Sequence, residues 1–209
     1  PAAKDVVAPL SENMTEAPRE WLLHLPLYNV MEKLEIGVNE GATFEGIAPR
    51  QQGLLVFYGT SITHGACASR PGMCHPAILG RRLEMPVLNL GFSGNGRMDA
   101  AVGEFLGRLD AAAFVIDCLP NMDAKLVTER CIPLVTQLRA ARPQTPIVLV
   151  EDRRNTNSWI HPERAAHHTA NHAALKEAFG KLQEQGVTKL FYVPGDQLLG
   201  DDGDGATDG

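Results

Sequence analysis

The sequence predicts a three-layer α/β/α protein built on a five-stranded parallel sheet. Two observations carry that expectation. From Gly53 onward, five short aliphatic or β-branched runs recur, at 54–58, 86–90, 113–118, 146–150 and 189–193. Between them lie segments whose apolar residues repeat at helical spacing. Strands that alternate with helices run parallel, with both faces covered. Right-handed crossovers then fix most of the topology.

The first run, Leu54-Leu55-Val56-Phe57-Tyr58, stops at Gly59 and leads into Thr60, Ser61 and Thr63. A helix is expected over 76–83, with Ile78, Leu79 and Leu83 on one face and Arg81 and Arg82 on the other. The second strand ends in the glycine-rich loop Gly91-Phe92-Ser93-Gly94-Asn95-Gly96. Asp99 is a suitable N-cap for a helix over 100–109. The third strand leads into Leu119-Pro120-Asn121-Met122-Asp123, then a helix over 124–141 with Leu126, Val127, Cys131, Leu134 and Leu138 apolar. A long polar loop over 151–162 follows the fourth strand, and a helix over 163–185 is stopped by Gly186. A tail rich in Gly and Asp follows the fifth strand.

Residues 1–50 read differently. The first nineteen are poor in apolar residues and suggest an extended arm. Over 31–38, apolar and polar residues alternate, the period of a strand with one wet face. This is a β-rich appendage too short for its own core, so it must pack on something. The expected division is 1–50 for arm and appendage and 51–209 for the α/β domain.

Among 209 residues, 44% are apolar and 21% charged, and the net charge is −6. No basic run tracks nucleic-acid phosphates, and no apolar run is long enough to span a bilayer. The start is polar and mixed, without a signal peptide; the cytoplasm fits, as does export after removal of a leader. A homo-oligomer is compatible with the composition. The four cysteines, Cys67, Cys74, Cys118 and Cys131, form no metal-binding pattern. Free thiols are the default, with a Cys67–Cys74 bridge as the alternative.

Loops following parallel strands share one edge of the sheet. Ser61, Gly94, Asn121, Asp152 and the Asp-rich tail therefore converge. Acyl transfer needs a nucleophile, a base, a group that orients the base, and donors for an oxyanion. Ser61 suits the first, given a base to take its proton. The loop over 91–96 offers backbone N–H groups, and Asn121 a side-chain amide. Asp208 is placed to orient a base.

These blocks resemble the SGNH (GDSL-type) hydrolases, and most closely a bacterial branch whose first block reads Tyr-Gly-Thr-Ser-Ile-Thr. The first block is Gly59-Thr60-Ser61-Ile62, the second Asn89 to Asn95, and the third Leu119-Pro120-Asn121-Met122, which keeps the Asn but changes both neighbours. The resemblance implies a flavodoxin-like sheet, Ser61 as nucleophile, and an oxyanion hole from Ser61, Gly94 and Asn121. It makes Asp208 the triad acid, with the triad His just past Gly209. It implies a serine esterase without cofactor or metal, acting on small acyl esters, many members of the branch removing acetyl groups from carbohydrates. The first forty-odd residues look like the end of a β-sandwich that often precedes the catalytic domain.

The other histidines have plainer readings. His168 and His172 stand at i and i+4, a spacing that suits a metal, but no third ligand is evident and a solvated face is expected. A histidine of the 161–172 stretch as substitute base is a further option. His64 helps shape the pocket, and His75 starts the first helix. Two rival functions remain: a non-catalytic carbohydrate-binding protein on the same fold, and a flavodoxin-like module holding FMN at the hydroxyl-rich loop.

Overall fold

The computed structural model describes residues 6–15 and 17–200. The predicted α/β fold is present. The elements are β1 (Leu54–Gly59), α1 (Ser61–His64), α2 (His75–Leu83), β2 (Val87–Gly91), α3 (Ala100–Gly107), β3 (Ala111–Asp117), α4 (Ala124–Ala141), β4 (Ile147–Val150), α5 (Pro162–Glu184) and β5 (Leu190–Val193). Single 3-10 turns at Pro71–Met73 and Leu119–Asn121 complete them.

The sheet order is β2-β1-β3-β4-β5, and every pair is parallel. Phe57 faces Asn89 on one side and Val115 on the other. The chain moves outward from β1 to β2, then returns to β3 on the far side of β1. That reversal leaves a crevice at the carboxyl ends of β1 and β3, the usual ligand position in open α/β sheets. α3 packs on α4 and α4 on α5, while α1 and α2 pack against β1 and β2.

The core follows from the apolar runs. Val56, Tyr58, Phe114, Ile116 and Leu149 are fully buried strand residues. α4 buries Val127, Cys131, Leu134, Val135 and Leu138, one stripe at helical spacing. Each such aliphatic side chain contributes about 1.5–3 kcal/mol on burial. The buried stripe of α5 runs His168, Asn171, His172, Leu175, Ala178 and Leu182. Its amino-terminal half is polar, which a purely structural helix does not need.

One local expectation is corrected, and one alternative falls. Asp99 sits at the N-cap of α3 but makes no side-chain capping bond. Its carboxylate instead meets Arg130 at 2.6 Å and the Tyr58 hydroxyl at 3.1 Å. Burial alone would raise the Asp99 carboxyl, but the Arg97 N–H, Tyr58 and Arg130 outweigh it and hold it below the ordinary carboxylate range. All four cysteines are free thiols, so Cys67 and Cys74 are not bridged.

Among the described residues before β1, none pairs into a strand. The alternation over 31–38 lies in extended chain without a neighbour, and Val30, Phe44 and Ile47 are exposed. This segment packs on the domain that follows. The Tyr28 ring stacks on His64 with centroids 4.0 Å apart, and its hydroxyl bonds Ser93 Oγ at 2.6 Å. His64 Nε2 meets the Leu27 carbonyl, and His24 Nε2 lies 3.1 Å from Arg81. Among the described residues no helix is long and apolar enough to cross a membrane.

Candidate active site

The loop after β1 is built from its own hydroxyls. Thr60 is extended, and its Oγ1 accepts the Ile62 N–H at 3.3 Å. Thr63 Oγ1 accepts the Thr60 N–H at 3.2 Å, closing a reciprocal cap. The Thr63 hydroxyl donates to buried Asp117 Oδ2 at 2.8 Å. Gly59 is needed here because a Cβ would lie 2.0 Å from Thr63 Oγ1. Both threonines point inward, and Ser61, half-buried, opens α1. Neither its hydroxyl nor its N–H has a hydrogen-bond partner among the described residues.

The second loop is pressed onto the first. Asn89 Nδ2 donates to the Thr63 carbonyl at 2.8 Å, and the Phe92 N–H to the Gly59 carbonyl at 3.0 Å. A Cβ on Gly96, whose φ is +70°, would lie 1.9 Å from the Gly59 oxygen. Gly96→Ala therefore separates the two loops and strains its own backbone. A loss of about 2–3 kcal/mol in stability is expected, read as a fall in the denaturant midpoint at unchanged m. Gly94 is different: nothing lies within 4 Å of a Cβ built there, so only its φ of +70° calls for glycine. Its N–H has no partner among the described residues and lies on an exposed turn.

Asn121 ends the turn after β3, and its Nδ2 donates to the Asn95 carbonyl. It does not cap α4; Asp123 does, accepting the Leu126 N–H at 2.8 Å. A primary amide carries two N–H bonds, so one positions Asn121 on the second loop and the other remains available. Ser61, Gly94 and Asn121 thus stand on three loops that touch one another. Asp208 lies outside the described residues. No histidine among them bonds Ser61. His64 is held by Leu27 and Tyr28, His75 faces Asp117, His161 faces Glu163, His167 meets Asn171, and His168 and His172 meet Asp152.

Beneath the first loop, His75 Nε2 is 3.5 Å from Asp117 Oδ2. Burial pushes the Asp117 carboxyl up to about 7, against the pull of the Thr63 hydrogen bond, and Asp152 adds to the rise. Burial pushes the His75 imidazole down to about 4. Between pH 4 and 7 the folded Asp117 keeps a proton that the unfolded chain releases, so its contribution to stability falls as pH rises. Between pH 4 and 6.5 the unfolded His75 binds a proton that the folded ring refuses, so its contribution rises. The two slopes oppose each other. Asp117→Asn should leave a Tm that climbs more steeply from pH 4 to 6.5, and His75→Gln one that declines from pH 4 to 7, each by several degrees relative to the parent. Thermal melts at four pH values check both.

A second polar cluster lies at the carboxyl end of β4. Asp152 Oδ2 meets His168 Nδ1 at 2.7 Å, and Asp152 Oδ1 meets His172 Nε2 at 2.6 Å. Burial holds the His168 imidazole below its ordinary range despite Asp152 beside it. The sequence suggested a solvated i,i+4 pair without a third ligand; the fold buries both rings and supplies Asp152. A cavity of about 330 Å³ adjoins the cluster and reaches Pro120, next to Asn121.

A five-stranded, all-parallel sheet with helices packed on it is the α/β fold of the GDSL-type (SGNH) hydrolases. The family described as GDSL-like lipase/acylhydrolase matches residues 52–209, and the chain belongs to it. The family described as the N-terminus of SGNH-hydrolase-type esterases matches residues 2–44. Among solved structures, a Bacteroides ovatus protein described as a GDSL-like lipase is 38% identical, with a TM-score of 0.82 over 89% of this chain and 55% of that one. A salicylyl-acyltransferase from a tetracycline biosynthetic pathway shares 18% identity and a TM-score of 0.64, over 73% and 45%. A family two carbohydrate esterase from Clostridium thermocellum shares 16% and a TM-score of 0.52, over 78% and 61%. The last two likenesses are of fold alone. The chain spans 55% of the first relative's length and 45% of the second's. No curated protein matches the chain.

Proposed function

We propose that the protein is a serine esterase that hydrolyses small acyl esters, acetyl esters of a carbohydrate foremost. One observation carries this reading: an unpartnered Ser61 hydroxyl at the crevice, with free donors from Ser61, Gly94 and Asn121 on loops locked together around it. Ser61 Oγ attacks the ester carbonyl carbon. The carbonyl oxygen takes the negative charge and is held by the Ser61 and Gly94 N–H groups and the Asn121 amide. A histidine following Asp208 in the full-length protein takes the Ser61 proton and passes it to the departing alcohol, with Asp208 fixing its tautomer. Water then attacks the acyl-serine by the same route in reverse.

The carbohydrate half of the reading is supported by the carbohydrate esterase among the structural neighbours. The FMN alternative loses support because the backbone N–H groups of Thr60 and Ile62, which would hold a phosphate at the start of α1, already donate to Thr63 Oγ1 and Thr60 Oγ1. A carbohydrate-binding protein without turnover is the other reading, favoured by the lack of any described histidine on Ser61. The test is hydrolysis of 4-nitrophenyl acetate and of acetylated oligosaccharides by the full-length protein. Turnover supports the esterase. Binding of acetylated glycan with no turnover of any ester would replace it with the binding protein.

A further inference from the structure

We propose that Asp152, His168 and His172 form a binding site for a divalent transition-metal ion, with zinc the best match to its donors. The three residues are buried, and their ligand atoms lie within 4.8 Å of one another. Two imidazoles and one carboxylate suit zinc and its neighbours. Calcium and magnesium prefer oxygen alone.

His172 is the independent clue. Its Nδ1 lies 3.2 Å from Glu151 Oε2. Its Nε2 lies 2.6 Å from Asp152 Oδ1 and 3.0 Å from the Asp152 carbonyl. Both ring nitrogens therefore face oxygen acceptors, while a neutral imidazole carries a single N–H. Glu151 is anchored by the Gly195 N–H at 2.7 Å and by the Tyr192 hydroxyl. Such a fixed carboxylate, taking the Nδ1 proton, is how metal-bound histidines are usually oriented. The Nε2 lone pair then faces two oxygens, and a cation between them removes the repulsion. The competing solution is a second proton on His172, which makes the cluster an ion pair.

The present contacts are hydrogen-bond lengths. Ligand atoms on one tetrahedral zinc stand about 3.3 Å apart, so the Asp152 carboxylate withdraws by roughly half an ångström on binding. The adjoining cavity, lined by Asp152, His168, Arg153, Asn155 and Pro120 among others, admits the ion and leaves a fourth position for water. Arg153 Nη1, 3.9 Å from Asp152 Oδ2, opposes a cation and lowers affinity. The site also has a structural reach. Asn171, between the two histidines, donates to the Met122 carbonyl at 2.8 Å, so an ion here fixes α5 against the loop that carries Asn121.

The test uses the full-length protein, stripped by chelator and titrated with zinc by calorimetry and with cobalt(II) by absorption. One equivalent is expected, with a visible cobalt spectrum of low coordination number. His168→Asn should weaken binding by about tenfold or more, while His167→Gln, beside the site but not a donor, should leave it unchanged. No binding by the parent protein would overturn the proposal in favour of the protonated ion pair, as would parental affinity in His168→Asn. The parental titration needs no variant, so a misfolded mutant leaves the answer intact. Its readout is independent of ester hydrolysis.

Discussion

Ser61→Ala in the full-length protein is expected to lower kcat for ester hydrolysis by about 10⁶-fold, the scale seen when the nucleophile of a serine hydrolase is removed. Its Tm should not move. The structure explains the second half. α1 is held by Thr60 and Thr63, through their reciprocal bonds and the Thr63 contact to Asp117. Ser61 takes no part in those bonds. Deleting its hydroxyl leaves no buried partner unsatisfied, and a change within about 0.5 kcal/mol is the expectation for such a site. Thr63→Ala is the informative contrast: it strips Asp117 of a donor and the Thr60 N–H of an acceptor, so it should lower stability and activity together. Retained turnover in Ser61→Ala would remove Ser61 from the chemistry.

How much of this was legible depended on how local the causes were. The five strands read directly because apolar runs of that length, broken by Gly and Pro, have few other uses. α1 did not, because four residues are too few for a period. Its cap is Thr-x-x-Thr, in which Thr63 fills the place usually taken by Glu or Gln. Asp99 misled for the opposite reason: its sequence position is a cap, but Tyr58 and Arg130 arrive from β1 and α4 and take its carboxylate. The first candidate residues lay in recognisable blocks and could be named. The partner of His168 and His172 could not, because Asp152 stands 16 and 20 positions upstream and only the β4–α5 crossover brings it back. The alternation over 31–38 was a fair sign of strand-like chain, yet pairing needs a neighbouring strand, and none lies beside it among the described residues.

Asn121→Ala is expected to lower kcat by about 10²–10³-fold, equivalent to about 2.7–4 kcal/mol of transition-state stabilisation, with KM little changed. The size follows from where the amide stands. An oxyanion donor acts on charge that exists only in the transition state, so its loss falls on kcat. Asn121 is free for this because Asp123 caps α4 in its place. One N–H bond already fixes the amide on the Asn95 carbonyl, so the second needs no reorganisation when the charge forms. A purely structural Asn121 predicts the reverse pattern. It would tie the second loop to the third, and its removal would lower Tm by the worth of one hydrogen bond, about 1 kcal/mol, with kcat nearly intact. Asn121→Asp sharpens the contrast, since it keeps the shape but withdraws both donors and sets a negative charge against the oxyanion. It should be slower than the Ala variant if the amide serves the transition state. The Asn95 bond is lost in either case, so a kcat that falls about 10²–10³-fold beside a small drop in Tm supports the oxyanion role, and a falling Tm at constant kcat reduces Asn121 to a tether between loops.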